Sequence, residues 1–114
     1  MRESKRDPLR ILHIHEAIQN INEFMNGKSL DDVKNDKLLF YAVVKNIEII
    51  GEAAFMLTKD FKSEHSHIPW TQIIGMRHVL VHEYFHISPL QVFKVYKEDL
   101  PKLKDWLKDL SSPS

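Results

Sequence analysis

Three of the seven histidines in this chain, His78, His82 and His86, follow one another at four-residue steps. With Glu83, the last two form the pattern H-E-x-x-H. On a helix this spacing brings two imidazoles to one face beside a glutamate, an arrangement that binds zinc and supplies a general base in metallopeptidases. The pattern suggests a zinc-dependent hydrolase as one interpretation.

The surrounding sequence argues against a metal site. The helix would have to continue through His86, but residues 87–89 (ISP) combine serine and proline as at the start of a new helix. No third ligand follows at the spacing that such enzymes use, and no strand is predicted on which a substrate could lie. We therefore predict neither a metal nor a cofactor.

A second pattern joins Arg77, His82 and Tyr84 in the order R-x4-H-x-Y. An imidazole with an ordinary pKa of about 6.5 exchanges protons at neutral pH, and a guanidinium binds phosphate through a rigid fork of donors. Positions 77 and 82 of a continuous helix point about 140° apart, at ~100° per residue. Arg77 and His82 therefore form one site only if the helix ends near His82 or a second copy of the helix lies alongside. Otherwise they mark an ordinary helix end, where the dipole favours histidine.

The other four histidines follow no comparable pattern. His13 and His15 flank the apolar face of the first predicted helix, and His65 and His67 lie in a polar segment. None is spaced with carboxylates as a catalytic or metal-binding group. We interpret all four as structural or solvated.

The composition is typical of one soluble globular domain, predicted to span residues 1–114 with a frayed tail at 111–114. Of the 114 residues, 43% are apolar and 28% charged, and sixteen basic residues balance sixteen acidic ones. Because the net charge is zero, any contact with nucleic acid has to come from a local basic patch. Cysteine is absent, and neither a secretory signal nor a membrane span is predicted, which favours a cytoplasmic location.

Prolines, glycines and apolar periodicity predict the helices that position these residues. Asp7 and Pro8 resemble an N-cap and a first helical residue, and Gly27 is typical of the position after a last turn. Ser29 with Asp32 resembles a capping box that opens a short helical turn. The apolar residues of the first helix form one stripe: Ile11, Ile14, Ile18, Ile21 and Met25.

A longer helix is predicted over residues 36–59. Its apolar residues cover more than one side, which places it at the centre of the fold. Gly51 lies in its interior, where glycine costs about 1 kcal/mol relative to alanine, so we expect another helix to approach closely there. Residues 60–68 are predicted to be a loop.

Three further helices are predicted after this loop. The third helix begins at Pro69 and carries the Arg77–His82 segment, a fourth begins at Ser88, and the last begins at residues 99–101 (DLP). No segment alternates with a period of two, so no strand is predicted. The predicted fold class is all-α, an antiparallel bundle of four to five helices.

Four segments, in this order along most of the chain, resemble the HepT-like family of HEPN domains. They are residues 46–54 (NIEIIGEAA), 68–77 (IPWTQIIGMR), 81–85 (VHEYF) and 97–101 (KEDLP). The resemblance implies a HEPN-like bundle that works as a two-fold homodimer and can assemble further with a partner. One position departs from the family: His78 replaces the usual small polar residue after the motif arginine. It either disturbs the orientation of the catalytic pair or adds a further donor.

The resemblance also implies an activity. The chain would be the toxin of a type VII-like toxin–antitoxin pair, a metal-independent endoribonuclease that acts on RNA and not on DNA. His82 would be the acid/base catalyst and Arg77 the phosphate ligand, with a second copy of the chain providing a second histidine. Glu48 and Glu52, one turn apart on the central helix, either orient Arg77 or lie on a solvated face.

Tyr84 is, by the same resemblance, the hydroxyl to which a partner nucleotidyltransferase, the antitoxin, transfers AMP from ATP. The added phosphate would pair with Arg77 and block RNA. The alternative is a non-catalytic helical subunit that binds this partner and is modified by it. The zero net charge and His78 favour that alternative.

Overall fold

The computed structural model describes residues 4–82 and 88–110, and these residues form helices without a strand, which confirms the predicted all-α class for them. A short 3-10 turn, Ser4–Arg6, precedes the first α-helix, and the π-helical residues Val95–Asp99 join the last two. The α-helices are α1 (Asp7–Met25), α2 (Leu30–Asn35), α3 (Lys37–Met56), α4 (Lys59–Glu64), α5 (Trp70–His82), α6 (Pro89–Lys94) and α7 (Leu100–Trp106).

The two long helices, α1 and α3, pack against each other in antiparallel directions. Thr58, just beyond α3, donates to the Asp7 carboxylate from its backbone N–H at 3.0 Å and from its hydroxyl at 2.6 Å. Near the middle of the pair, the side chain of Asn20 donates to that of buried Asn46 at 3.1 Å. The predicted N-cap role of Asp7 is wrong, because the 3-10 turn already leads the chain helically through Arg6. The Asp7 carboxylate instead ties α1 to the turn after α3.

The connection between α1 and α3 agrees with the sequence prediction. Gly27 has a φ of 74°, the left-handed conformation that glycine adopts at low cost after a helix. Ser29 Oγ accepts from the Asp32 N–H at 3.2 Å, and the Asp32 carboxylate accepts from the Ser29 N–H at 2.7 Å. These hydrogen bonds, the one from the Ser29 backbone first, hold the pKa of Asp32 below its ordinary value. The predicted capping box is confirmed.

The predicted loop over residues 60–68 contains a further helix, α4. Thr58 caps it by accepting from the Phe61 N–H at 3.2 Å. Phe61 in turn packs near Trp70, with 6.1 Å between the ring centroids. Six residues are too few for a helical period to be recognised among polar neighbours, so the sequence alone did not predict α4.

The predicted new start before the last helix is also wrong. Asp99 makes no side-chain capping hydrogen bond to any described residue, and the helix passes continuously through the π-helical turn. Pro101 has no N–H to donate to the carbonyl of Lys97, and its ring would collide with that carbonyl. A wider turn relieves the collision, and the Leu100 N–H correspondingly donates to the carbonyl of Val95, five residues back.

The buried apolar side chains form one core. The stripe predicted on α1 is buried, and α3 buries residues on more than one side, as expected of a central helix. α5 and α7 complete this core from the other sides of the bundle. Among the described residues, no helix combines the length and the apolar character that crossing a membrane requires.

Candidate active site

Gly51 marks the point where α5 crosses α3. A Cβ atom added to Gly51 would lie 2.7 Å from Cβ of Arg77 and 3.0 Å from its Cγ. Side chains with a Cβ essentially never come so close, so only glycine lets the Arg77 side chain lie directly on α3. The close approach predicted at Gly51 is confirmed, and the approaching group is the candidate phosphate ligand itself.

Two further side chains of α3 position the guanidinium of Arg77. Nη1 of Arg77 donates to the Glu52 carboxylate at 2.5 Å, and the guanidinium carbon lies 4.5 Å from the centre of the Phe55 ring. The Arg77 side chain is 22% exposed and that of Glu52 is 62% exposed. A pair so exposed contributes only about 0–1 kcal/mol to stability, so its main effect is on the direction of the guanidinium.

Glu48 and Glu52, for which the sequence left open a role in orienting Arg77 or a place on a solvated face, differ in their contacts. Glu52 forms the ion pair, whereas Glu48 lies one turn earlier on the exposed side of α3. A guanidinium carries five N–H donors in a planar fork, so the bond to Glu52 leaves donors that can bind two oxygens of a phosphate. Arg77 is thus held in one direction while it keeps part of its donor set for a ligand.

The predicted catalytic histidine lies at the end of α5. Positions 78 and 82 belong to this helix, but the side chains of His78 and His82 are not among those that the structure describes. Because position 82 is still helical, positions 77 and 82 of one chain face directions about 140° apart at ~100° per residue. Tyr84 lies outside the described residues.

Among the described side chains, which do not include those of His78 and His82, no three histidine, aspartate or glutamate groups gather as a possible metal site. Glu83 and His86 of the H-E-x-x-H pattern lie outside residues 4–82 and 88–110.

Phe55 is the residue of this site that the sequence analysis missed. It is 52% exposed, although it is a large aromatic side chain. A sequence indication exists, since Phe55 follows Gly51 by one helical turn and therefore lies on the same side of α3. An aromatic residue one turn from an interior glycine can flank whatever packs on that glycine.

Two of the other histidines make contacts that fit a structural role. The ring of His15 hydrogen-bonds to the carbonyl of Leu110, near the end of the described chain. The ring of His65 packs against Phe61, with 4.6 Å between the centroids. The first contact joins α1 to the segment after α7, and the second lies within α4 and its C-terminal cap.

Comparison of the sequence with known proteins identifies its family. A family model described as "Ribonuclease HepT-like" matches residues 14–110. A protein of Methanocaldococcus jannaschii named "Putative RNase" is 37% identical over 102 residues, which cover 89% of this chain and 94% of that protein. No solved structure matches the chain significantly.

Two further relatives show the same relation over nearly their whole length. The "Probable ribonuclease HepT" of Thermococcus cleftensis is 40% identical over 104 residues, 91% of this chain and 93% of that protein. A "Putative RNase" of Caldanaerobacter subterraneus is 36% identical over 98 residues, 86% and 88% of the two chains. With the family match, these similarities establish that the chain belongs to the ribonuclease HepT-like family.

Proposed function

We propose that this chain is a metal-independent endoribonuclease that uses Arg77 and His82, and that it is the toxin of a type VII-like toxin–antitoxin pair. The observation that carries the proposal is the position of Arg77, fixed on α3 by Gly51, Glu52 and Phe55. The ribonuclease names of the relatives support RNA as the substrate. An arginine held in this way is suited to binding a phosphate of fixed orientation.

Arg77 binds the scissile phosphate. Arg77 is not the acid or the base of the reaction, and its guanidinium acts through charge and hydrogen bonds alone. Negative charge increases on the phosphate oxygens as the 2′-oxygen attacks the phosphorus. A guanidinium already in place stabilises that charge without reorganising, which is the largest contribution expected from this residue.

His82 moves the protons, and two copies of it are needed. One imidazole takes the proton of the ribose 2′-hydroxyl, whose oxygen forms a bond to phosphorus while the bond from phosphorus to the 5′-oxygen breaks. A second, protonated imidazole gives its proton to the leaving 5′-oxygen. The products carry a 2′,3′-cyclic phosphate and a 5′-hydroxyl.

A two-fold homodimer supplies the second imidazole. Positions 77 and 82 diverge on one helix, so a second α5 facing the first across a cleft would complete each site. Leu38 and Tyr41 are 81% and 62% exposed, and they lie within about 60° of the direction of Glu52 on α3, at ~100° per residue. A second copy along this side of α3 would cover them.

Tyr84 is the proposed point of regulation. A partner nucleotidyltransferase with ATP and Mg²⁺ would join the phenol oxygen to the α-phosphorus and release pyrophosphate. The attached AMP places an anionic phosphate two residues from His82 in sequence. Paired with Arg77, that phosphate would occupy the position of the RNA backbone.

Cleavage of RNA by the purified protein in excess EDTA is the central experiment. We expect 2′,3′-cyclic phosphate ends, and we expect His82→Ala to lose activity while its circular dichroism spectrum stays that of the wild type. Activity that requires added zinc would contradict the proposal and favour the H-E-x-x-H interpretation.

The dimer is tested by light scattering at micromolar concentration. We expect twice the mass of one chain, and we expect Leu38→Glu to shift the equilibrium toward monomer, since the substitution puts a charge into an apolar interface. A wild type that is monomeric at this concentration would remove the two-histidine mechanism.

The modification is tested by co-expression with a partner transferase. Intact mass should increase by whole adenylyl groups, and peptide mapping should place them on the peptide that contains Tyr84. Tyr84→Phe should remain toxic when the partner is present. Equal neutralisation of wild type and Tyr84→Phe would mean that the partner inhibits by binding alone.

The zero net charge favours a second function, that of a non-catalytic subunit which binds the transferase and is modified by it. The two functions differ in one phenotype. A ribonuclease toxin arrests growth when it is expressed without its partner, and His82→Ala does not. A non-catalytic subunit leaves growth unchanged in both cases.

A further inference from the structure

A cleft of about 420 Å³ lies where α1 begins, α3 ends and α4 follows. Its volume is in the range of small-ligand sites. One arginine comes from the 3-10 turn before α1 and one from the first turn of α1. Two lysines come from α4, and two large apolar side chains from the end of α3. These residues are Arg6, Arg10, Lys59, Lys62, Phe55 and Met56.

The charge of this cleft is of one sign. None of the described residues that line it is acidic, and four are basic. The carboxylate of Asp7 is close by in sequence, but it is buried and accepts both hydrogen bonds from Thr58. In a chain of zero net charge, this is a local concentration of positive charge, and it attracts anions.

Arg10 carries a polar atom without a partner beside this cleft. Its Nε is buried, and it finds no hydrogen-bond acceptor in the part of the chain that the structure describes. A buried donor without an acceptor costs roughly 1–3 kcal/mol, and more when the group is charged. Because this Nε is closed to solvent, a ligand in the cleft reaches it only when the Arg10 side chain moves.

Phe55 connects the cleft to the candidate active site. The same ring lines the cleft and lies 4.5 Å from the guanidinium carbon of Arg77. The basic cleft and the proposed phosphate ligand therefore share Phe55. A chain of phosphates bound at Arg77 can continue past Phe55 into the cleft.

We propose that this cleft is a subsite for single-stranded RNA next to the cleaved bond, an inference that rests on the proposed ribonuclease function. The basic side chains bind backbone phosphates. The exposed part of the Phe55 ring stacks with a base, as aromatic side chains do in sites that bind single strands. An acidic segment of a protein partner would satisfy the charges but would not need an exposed aromatic ring among them.

Binding of fluorescein-labelled oligouridylate, measured by anisotropy over a series of salt concentrations, tests the phosphate contacts. His82→Ala protein is used throughout so that the RNA stays intact. The variant Arg10→Gln, Lys59→Gln, Lys62→Gln should bind more weakly at low salt. Its slope of log affinity against log salt should be smaller by about 2, since each phosphate contact of a single strand contributes about 0.7.

The matched control removes two lysines from the opposite end of the α1–α3 pair, in the variant Lys28→Gln, Lys34→Gln. Both lysines are exposed, so the substitutions remove charge without disturbing the core. This variant should retain the slope of the His82→Ala protein. Thermal unfolding of each variant shows that weaker binding does not come from loss of structure. Lys59→Gln, Lys62→Gln without the Arg10 substitution should give a smaller change of the same sign.

The base contact is tested with an abasic oligomer of equal length and charge. His82→Ala protein should bind oligouridylate more tightly than the abasic oligomer, and Phe55→Ala should remove this preference. Equal binding of the two oligomers before that substitution would overturn the stacking contact.

Oligouridylate affinity and salt slope that do not change in the triple variant would overturn the subsite. If the same variant then lost binding to the transferase partner, the cleft would be a protein-docking surface. Failure of the proposed ribonuclease function gives another result. Wild-type protein would then not cleave RNA, whereas the differences in binding between the variants would not depend on cleavage.

Discussion

The two ends of the α1–α3 pair are built from different side chains. At the end where α1 begins and α3 stops, the basic end, Asp7 ties the helices together, and the basic cleft opens beside Phe55 and Arg77. At the end where α1 stops and α3 begins, the capped end, the helix termini are closed by Gly27, Ser29 and other local residues. The capped end is therefore held by contacts between residues close in sequence, whereas the basic end depends on a contact between α1 and the turn after α3.

The larger cleft lies toward the capped end, and three of its polar side chains have hydrogen-bond partners. It measures about 670 Å³ and lies between α1 and α7. The amide of Gln19 donates to the Glu23 carboxylate at 3.2 Å, and the ring of His15 bonds to the carbonyl of Leu110. The smaller cleft at the basic end differs in its charge: four of its lining residues are basic and none is acidic, so it attracts anions.

The largest difference between the two ends should appear when Arg77 is replaced by lysine. Lysine keeps the charge but loses the planar fork of donors, so RNA cleavage should fall by about 100-fold, the usual effect of losing one donor to a transition-state oxygen. Lys104→Gln in the larger cleft should leave the rate unchanged. Single-turnover cleavage assays measure both, and equal rates for wild type and Arg77→Lys would contradict the assigned role of Arg77.

Removing the clamp at the basic end should have the next largest effect. Asp7→Ala deletes a buried carboxylate that accepts two hydrogen bonds from Thr58, and we expect the free energy of unfolding to fall by about 2 kcal/mol. Thr58→Ser keeps the hydroxyl and the backbone donor and should stay close to wild type. Urea unfolding measures both variants, and an Asp7→Ala protein as stable as Thr58→Ser would show that the clamp does not hold the two helices.

Two glycines give a matched pair at the α3–α5 crossing. Gly51→Ala places a Cβ 2.7 Å from Arg77, so we expect a loss of about 1–2 kcal/mol and slower cleavage as Arg77 moves. Gly75 has no atom within 4 Å of an added Cβ, and Gly75→Ala should stabilise α5 by up to about 1 kcal/mol through helix propensity. Thermal unfolding with activity measurements separates the two. A Gly51→Ala variant that gains stability would disprove the close packing of Arg77 on α3.

The smallest effect is expected at the capped end, from Asp32→Ala. The hydrogen bonds from Ser29 lower the pKa of Asp32, so its stabilisation is present above the pKa of the unfolded chain and is lost as the pH falls through the folded pKa. The variant should be slightly less stable than wild type at neutral pH and equal to it in strong acid. Thermal unfolding over a pH series measures the difference, and a difference that grows toward acid would have the wrong sign.

Most of the helical architecture could be predicted because its causes are local. The apolar stripe of α1 repeats at steps of three and four residues. The left-handed Gly27 and the capping box of Ser29 and Asp32 likewise depend only on close neighbours in the sequence. α4 and the π-helical turn were missed although their causes are also local. One is too short for a period, and the other is a response of a continuous helix to Pro101.

The sequence by itself therefore determined the fold class, the approximate course of the long helices and the residue types available for phosphate chemistry. Only the tertiary structure decided which of them meet. Arg77 contacts α3 more than twenty residues earlier in the chain, and the basic cleft joins the start of α1 to the end of α3. Such contacts depend on which faces of α1, α3 and α5 are buried together. The periodicity within one helix does not show which other helix each of its faces will contact.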